Sequence, residues 1–75
     1  MYAYLFIELG SSDEDDVIEK LKEMDEIREA HIIFGEWDII AKVEVNSPED
    51  LTAFIIDKIR TMPEVKMTST MIVAK

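Results

Sequence analysis

Apolar residues fall along the chain in blocks, and the spacing within each block predicts an element. Residues 2–9 are aromatic and aliphatic, the composition of a strand. Ala3, Leu5, Ile7 and Leu9 alternate there with Tyr2, Tyr4, Phe6 and Glu8, so the two sets point to opposite faces. Gly10-Ser11-Ser12 breaks the strand. Ser11 or Ser12 is then expected to cap a helix whose first turn holds Asp13, Glu14, Asp15 and Asp16, where the helix dipole favours anions. Val17, Ile18, Leu21 and Met24 follow at helical spacing. Residues 27–34 predict a second strand, Gly35-Glu36 a short turn, and residues 37–45 a third strand antiparallel to the second. Asn46-Ser47-Pro48-Glu49-Asp50 has the form of a helix start: a cap, a proline at the first position, then two acids. Leu51, Phe54, Ile55, Ile59 and Met62 mark one face of that helix. Pro63 stops it, and residues 64–73 predict the last strand.

The order is β-α-β-β-α-β within a single domain, residues 1–75. Right-handed crossovers put both helices on one face of a four-stranded antiparallel sheet, giving an α+β, ferredoxin-like sandwich. Ala3, Leu5, Ile7 and Leu9, with Ile39, Ala41, Val43 and Val45, are expected to face the helices. Tyr4, Phe6 and Ile40 are then left on the open face as an apolar patch, which predicts a homodimer formed sheet to sheet.

Composition narrows the possible functions. The net charge is −9, from 17 acids and 8 Lys/Arg. All of this excess lies in residues 1–38, which hold 12 acids and 3 bases. Such a surface repels phosphate backbones, so direct nucleic-acid binding is not expected. The absence of Cys removes disulfides and thiolate metal sites. With no apolar run long enough for a membrane span and no signal peptide, a cytoplasmic protein is expected.

The inventory of reactive groups is short. His31, the one histidine, stands in mid-strand with no Ser-His-Asp set around it. Two glycines leave no phosphate loop, and the Asp13–Asp16 run lacks the glycine and distal glutamate of a calcium loop. No catalytic residue, metal or cofactor is therefore assigned. What remains is Phe34-Gly35-Glu36-Trp37-Asp38. Backbone N–H groups at a glycine turn can accept a carboxylate. Asp38 can meet an ammonium, and Trp37 offers an apolar wall. Together these groups describe an α-amino-acid site; equally, they describe a glycine turn, a packed Trp and a solvated Asp.

The stretch His31-Ile32-Ile33-Phe34-Gly35-Glu36-Trp37-Asp38-Ile39-Ile40-Ala41-Lys42-Val43 resembles the core of the Lrp/AsnC effector domain, also called the RAM domain. That family has an apolar strand, Gly, two residues, Asp and another apolar strand. Met62-Pro63-Glu64-Val65 is similar to its Pro-Gly-Val turn, with Glu64 where Gly is common. Thr68-Ser69-Thr70-Met71-Ile72-Val73 is similar to its Thr-rich last strand.

The resemblance implies sheet-paired dimers that assemble further, with an amino acid bound between dimers. Carried over, Gly35, Glu36 and Trp37 form the loop over the ligand and Asp38 holds its ammonium. Thr68, Ser69 and Thr70 add contacts from the fourth strand, in the same or a neighbouring subunit. Ile33 and Met71 line a side-chain pocket suited to an apolar amino acid. Full-length members carry an N-terminal helix-turn-helix, and this chain begins at the first strand. It therefore resembles a stand-alone effector domain, a non-enzymatic transcription-regulatory module. Such a module would modulate its own assembly or that of full-length Lrp/AsnC-type regulators. The competing readings are a ligand-independent oligomerisation module and a small ferredoxin-like dimeric enzyme of the monooxygenase type, which needs a cavity between sheet and helices.

Overall fold

The alternation in residues 2–9 is realised as strand β1 (Tyr2–Leu9) in the computed structural model, which describes residues 1–75. Helix α1 (Glu14–Lys22) follows, then β2 (Ile27–Ile32) and β3 (Ile39–Glu44). Next come helix α2 (Pro48–Phe54), a π-helical turn (Ile55–Ile59) and β4 (Val65–Ile72). The sheet order is β2-β3-β1-β4 and every pairing is antiparallel, which is the ferredoxin-like arrangement.

The two faces of the sheet divide as the alternation requires. Ala3, Leu5, Ile7 and Leu9 are buried, as are Ile39, Ala41, Val43 and Val45. Val17, Ile18 and Leu21 of α1 close over them, with Leu51 and Phe54 of α2, Ile59 and Met62. No polar or charged residue is buried. The space between sheet and helices is thus filled by apolar side chains.

Three local features differ from expectation. The first helix has Asp13 rather than a serine at its N-cap position, and no side chain makes a capping bond there; Ser11 Oγ instead donates to the Asp13 carboxylate at 2.8 Å. The second helix starts as its sequence dictates, with Ser47 Oγ accepting from the Asp50 N–H. It then widens into a π turn, closed by the Arg60 N–H donating to the Ile55 carbonyl. Phe54 and Ile59 are both buried but five residues apart, more than one α-turn, and the extra residue per turn brings both to the core. Ile55 is consequently only partly buried. Finally, β2 stops at Ile32 and β3 begins at Ile39, so residues 33–38 form a loop rather than a two-residue turn.

Glu64 ties α1 to the start of β4. Lys20 Nζ donates to Glu64 Oε2 at 2.6 Å, and the Glu64 side chain is only 14% exposed. That hydrogen bond, helped by Glu64's own backbone N–H, holds the Glu64 carboxyl below its ordinary value. The same bond raises Lys20. A lowered carboxyl contributes stability that is present above its unfolded value and lost as pH falls through the folded one. The raised lysine contributes stability that is lost as pH rises through its folded value. In urea titrations at several pH values, Glu64→Gln is expected to lose part of the fall in stability below pH 4.5. An acid limb identical to that of the parent protein would show that the pair does nothing.

Candidate functional site

The loop between β2 and β3 is held at its base by two backbone bonds. The Ile33 N–H donates to the Asp38 carbonyl at 2.9 Å, and the Asp38 N–H donates to the Ile7 carbonyl at 2.9 Å. Gly35 lies between them at φ +148, a conformation that side-chain-bearing residues rarely adopt. An added Cβ would meet no atom within 4 Å. The expected cost of Gly35→Ala is therefore backbone strain alone, about 1–3 kcal/mol, read as a lower denaturation midpoint. A variant as stable as the parent would mean that the loop rearranges freely.

Asp38 does more than border the loop. Its Oδ2 accepts the Leu9 N–H at 2.8 Å. β3 leaves the sheet at this point, so the ladder acceptor that Leu9 would meet is missing, and the carboxylate takes its place. On the other side of β1 the pairing with β4 slips between Glu8 and Leu9, where Glu8 faces Met67 and Leu9 faces Val65. Asp38 thus stitches the end of β1 where both neighbouring ladders become irregular. Its Oδ1 makes no hydrogen bond within the chain.

Trp37 packs on the open sheet face, its ring centroid 6.1 Å from that of Phe6. Phe6 lies opposite Ile40 on one side and Ser69 on the other. Tyr4 lies between Lys42 and Met71, and Lys42 Nζ sits 4.4 Å above the Tyr2 ring. Tyr2, Tyr4, Met67 and Met71 are exposed. The open face therefore presents the expected apolar patch. His31, opposite Ile40 on the same face, is exposed and bonds Glu29 at 3.1 Å.

Within one subunit the expected ligand residues do not converge. Gly35, Glu36, Trp37 and Asp38 share the loop with Ile33, at the β2–β3 side of the sheet. Thr68, Ser69, Thr70 and Met71 lie on β4, the far edge, with β1 between. They also split between faces. Thr68 and Thr70 pair with Ile7 and Leu5 on the helix side, whereas Ser69 and Met71 pair with Phe6 and Tyr4 on the open side. Neither principal concavity of the chain includes the Gly35–Asp38 loop. One, about 600 Å³, is a groove beside α2 bordered by Asp25, Glu26, Asp50 and Asp57. The other, about 270 Å³, lies at the start of β4. No three His, Asp or Glu residues are arranged to hold a metal ion, and no helix is long and apolar enough to cross a membrane. Leu9's role as the partner of Asp38 was invisible in the sequence, because a backbone N–H carries no sequence signal.

The fold defines the class as a ferredoxin-like α+β domain, with the 33–38 loop at one end of its sheet. The model of the Lrp/AsnC ligand binding domain matches residues 2–75, and the chain belongs to that family. It is 35% identical to the regulatory protein AsnC of Escherichia coli over 64 residues, which are 85% of this chain and 42% of AsnC. The AsnC structure superposes with a TM-score of 0.93 at 33% identity, over 99% of this chain and 50% of that one. The Pyrococcus horikoshii protein PHS023 superposes with a TM-score of 0.92 at 44% identity, over 99% of this chain and 89% of that one. The fold alone is shared, at 16% identity and a TM-score of 0.89, with a Neisseria meningitidis transcriptional regulator solved as an L-Met complex. The chain spans less than half the length of the first curated relatives it matches, 37% to 49% of them.

Proposed function

We propose that this domain senses an amino acid at a contact between subunits and thereby modulates its own assembly or that of full-length Lrp/AsnC-type regulators. The observation that carries this reading is the Asp38 carboxylate. One oxygen is fixed by the Leu9 N–H, and the exposed loop that ends at Asp38 turns at a glycine of positive φ. A fixed negative charge on a loop that can offer backbone N–H donors suits the ammonium and carboxylate of an α-amino acid. The ligand residues on β4 reach it from a neighbouring subunit, because β1 separates them within one. Ile33 and Met71 favour an apolar side chain. The subunits first pair through the open sheet face, burying Tyr4, Phe6, Ile40 and Met71. The cytoplasm, where transcription regulators meet free amino acids, is the assigned compartment.

A thermal-shift screen of the twenty amino acids tests the ligand. At a free concentration of 100 times Kd, binding stabilises by about 2.7 kcal/mol. A domain of this size gains about 4–8 °C per kcal/mol, so a responsive amino acid is easily seen. No shift with any of them at millimolar concentration would leave the ligand-independent oligomeriser as the better reading. The enzyme reading has little support, since the sheet–helix space is filled and His31 points into solvent on the other face.

A further inference from the structure

The 33–38 loop is fastened to β1 at successive points along the strand. The Trp37 ring lies against Phe6, the Asp38 N–H donates to the Ile7 carbonyl, and the Asp38 carboxylate accepts the Leu9 N–H. Ile7 and Leu9 are buried within the subunit, so the two Asp38 bonds need no second copy. The ring contact is different. Trp37 and Phe6 are only partly buried, and they meet on the open sheet face with their planes tilted by 46°. Phe6 is the middle of that face, between Ile40 and Ser69.

The rest of the loop is held weakly. Phe34, Gly35 and Glu36 are exposed, and none of them hydrogen-bonds to the sheet. A segment with so few packed contacts opens locally far more easily than the core. The Phe6–Trp37 contact is therefore a large part of what orders the loop, and it is the part that sheet pairing would cover.

We infer that Trp37 is the positioning residue that links order in the 33–38 loop to pairing of the sheets. Pairing through the open face removes water from around the Phe6–Trp37 contact and holds the indole in place. The indole adjoins Asp38 in the chain, so a fixed indole steadies the carboxylate and the loop that leads to it. A free subunit keeps the Asp38 bonds but opens the loop more often. The linkage is reciprocal: an amino acid held by Asp38 favours paired subunits by the factor by which pairing favours the amino acid. Of the reading given above, this linkage rests on the sheet-to-sheet pairing and on no ligand.

Amide hydrogen exchange without any amino acid tests it. The parent protein is compared with Tyr4→Asp, a substitution on the open face that breaks the pairing and leaves Phe6 and Trp37 in place. The Leu9 and Asp38 amides report the fasteners of the loop, and the Leu21 amide in α1 reports global stability. Relative to Leu21, Leu9 and Asp38 are expected to exchange about two- to tenfold faster in the unpaired variant, the range set by one aromatic contact. Trp37→Ser should exchange at the faster rate even at concentrations where sedimentation shows pairs, and Trp37→Phe should restore most of the protection. Trp37 is the one Trp, so its emission reports its cover directly. Acrylamide should quench it less in the parent pair than in Tyr4→Asp. Equal exchange in parent and Tyr4→Asp, protection that survives Trp37→Ser in the pair, or equal quenching would overturn the linkage. A parent with one subunit mass at every concentration would overturn the pairing, and the linkage with it. No step includes a ligand, so a failure of the amino-acid reading would leave all these results unaltered.

Discussion

Phe6→Asp is expected to produce a folded monomer. Phe6 occupies the middle of the open face, flanked by Ile40 and Ser69 and packed against Trp37. In a free subunit an aspartate at this position stays in water, and the loss is confined to the contact with Trp37, worth about 0.5–1.5 kcal/mol. Between two paired sheets the same carboxylate would be buried without a partner. That costs about 4 kcal/mol in each subunit, and a two-fold pair carries the substitution twice, so dimerisation weakens at least about a thousandfold. Sedimentation at several concentrations should show one subunit mass for the variant where the parent shows two or more. An unchanged mass would mean that the subunits pair through another surface.

Asp38 should behave differently in its two simplest variants. Asp38→Ala removes the acceptor of the Leu9 N–H, a bond of 2.8 Å to a residue only 8% exposed. An unpaired buried N–H costs about 1–3 kcal/mol. Against a total stability of about 4–11 kcal/mol for a chain of this length, that is a substantial fraction, and the midpoint should fall by several degrees. Asp38→Asn keeps an oxygen for Leu9 and loses the charge. It should recover most of the stability while abolishing the amino-acid-induced shift. The pair therefore separates the folding role from the binding role. An Asn variant that still responds to the amino acid like the parent would remove Asp38 as the ammonium acceptor.

The sheet and its faces were legible because strand alternation is a local, period-two signal. Ala3 to Leu9 and Ile39 to Val45 declared their buried side outright. The helix at Pro48 was legible for the same reason, since cap, proline and acids stand next to one another. What escaped was long-range. The bond from Leu9 to Asp38 joins residues 29 positions apart through a main-chain donor. The loop length of 33–38 depends on where Ile7 and Asp38 meet, not on the apolar residues Ile33 and Phe34, which read as strand. The slip between Glu8 and Leu9 is a property of two strands together. The loop residues were recognisable as a candidate site from Gly35 and Asp38. Their separation from Thr68–Met71 follows from the strand order and is not written in either segment.

The π turn at Ile55–Ile59 carries a consequence for kinship by length. Leu51, Phe54, Ile59 and Met62 are buried at spacings of three, five and three, while Ile56 within the turn is half exposed. Removing one residue there, Ile56 for instance, would restore spacings of three, four and three and close an ordinary α-helix over the same core. The turn therefore has the geometry of a one-residue insertion into an α-helix. Relatives with an uninterrupted helix should align to this chain with a single gap between Phe54 and Ile59, and nowhere else in the helix.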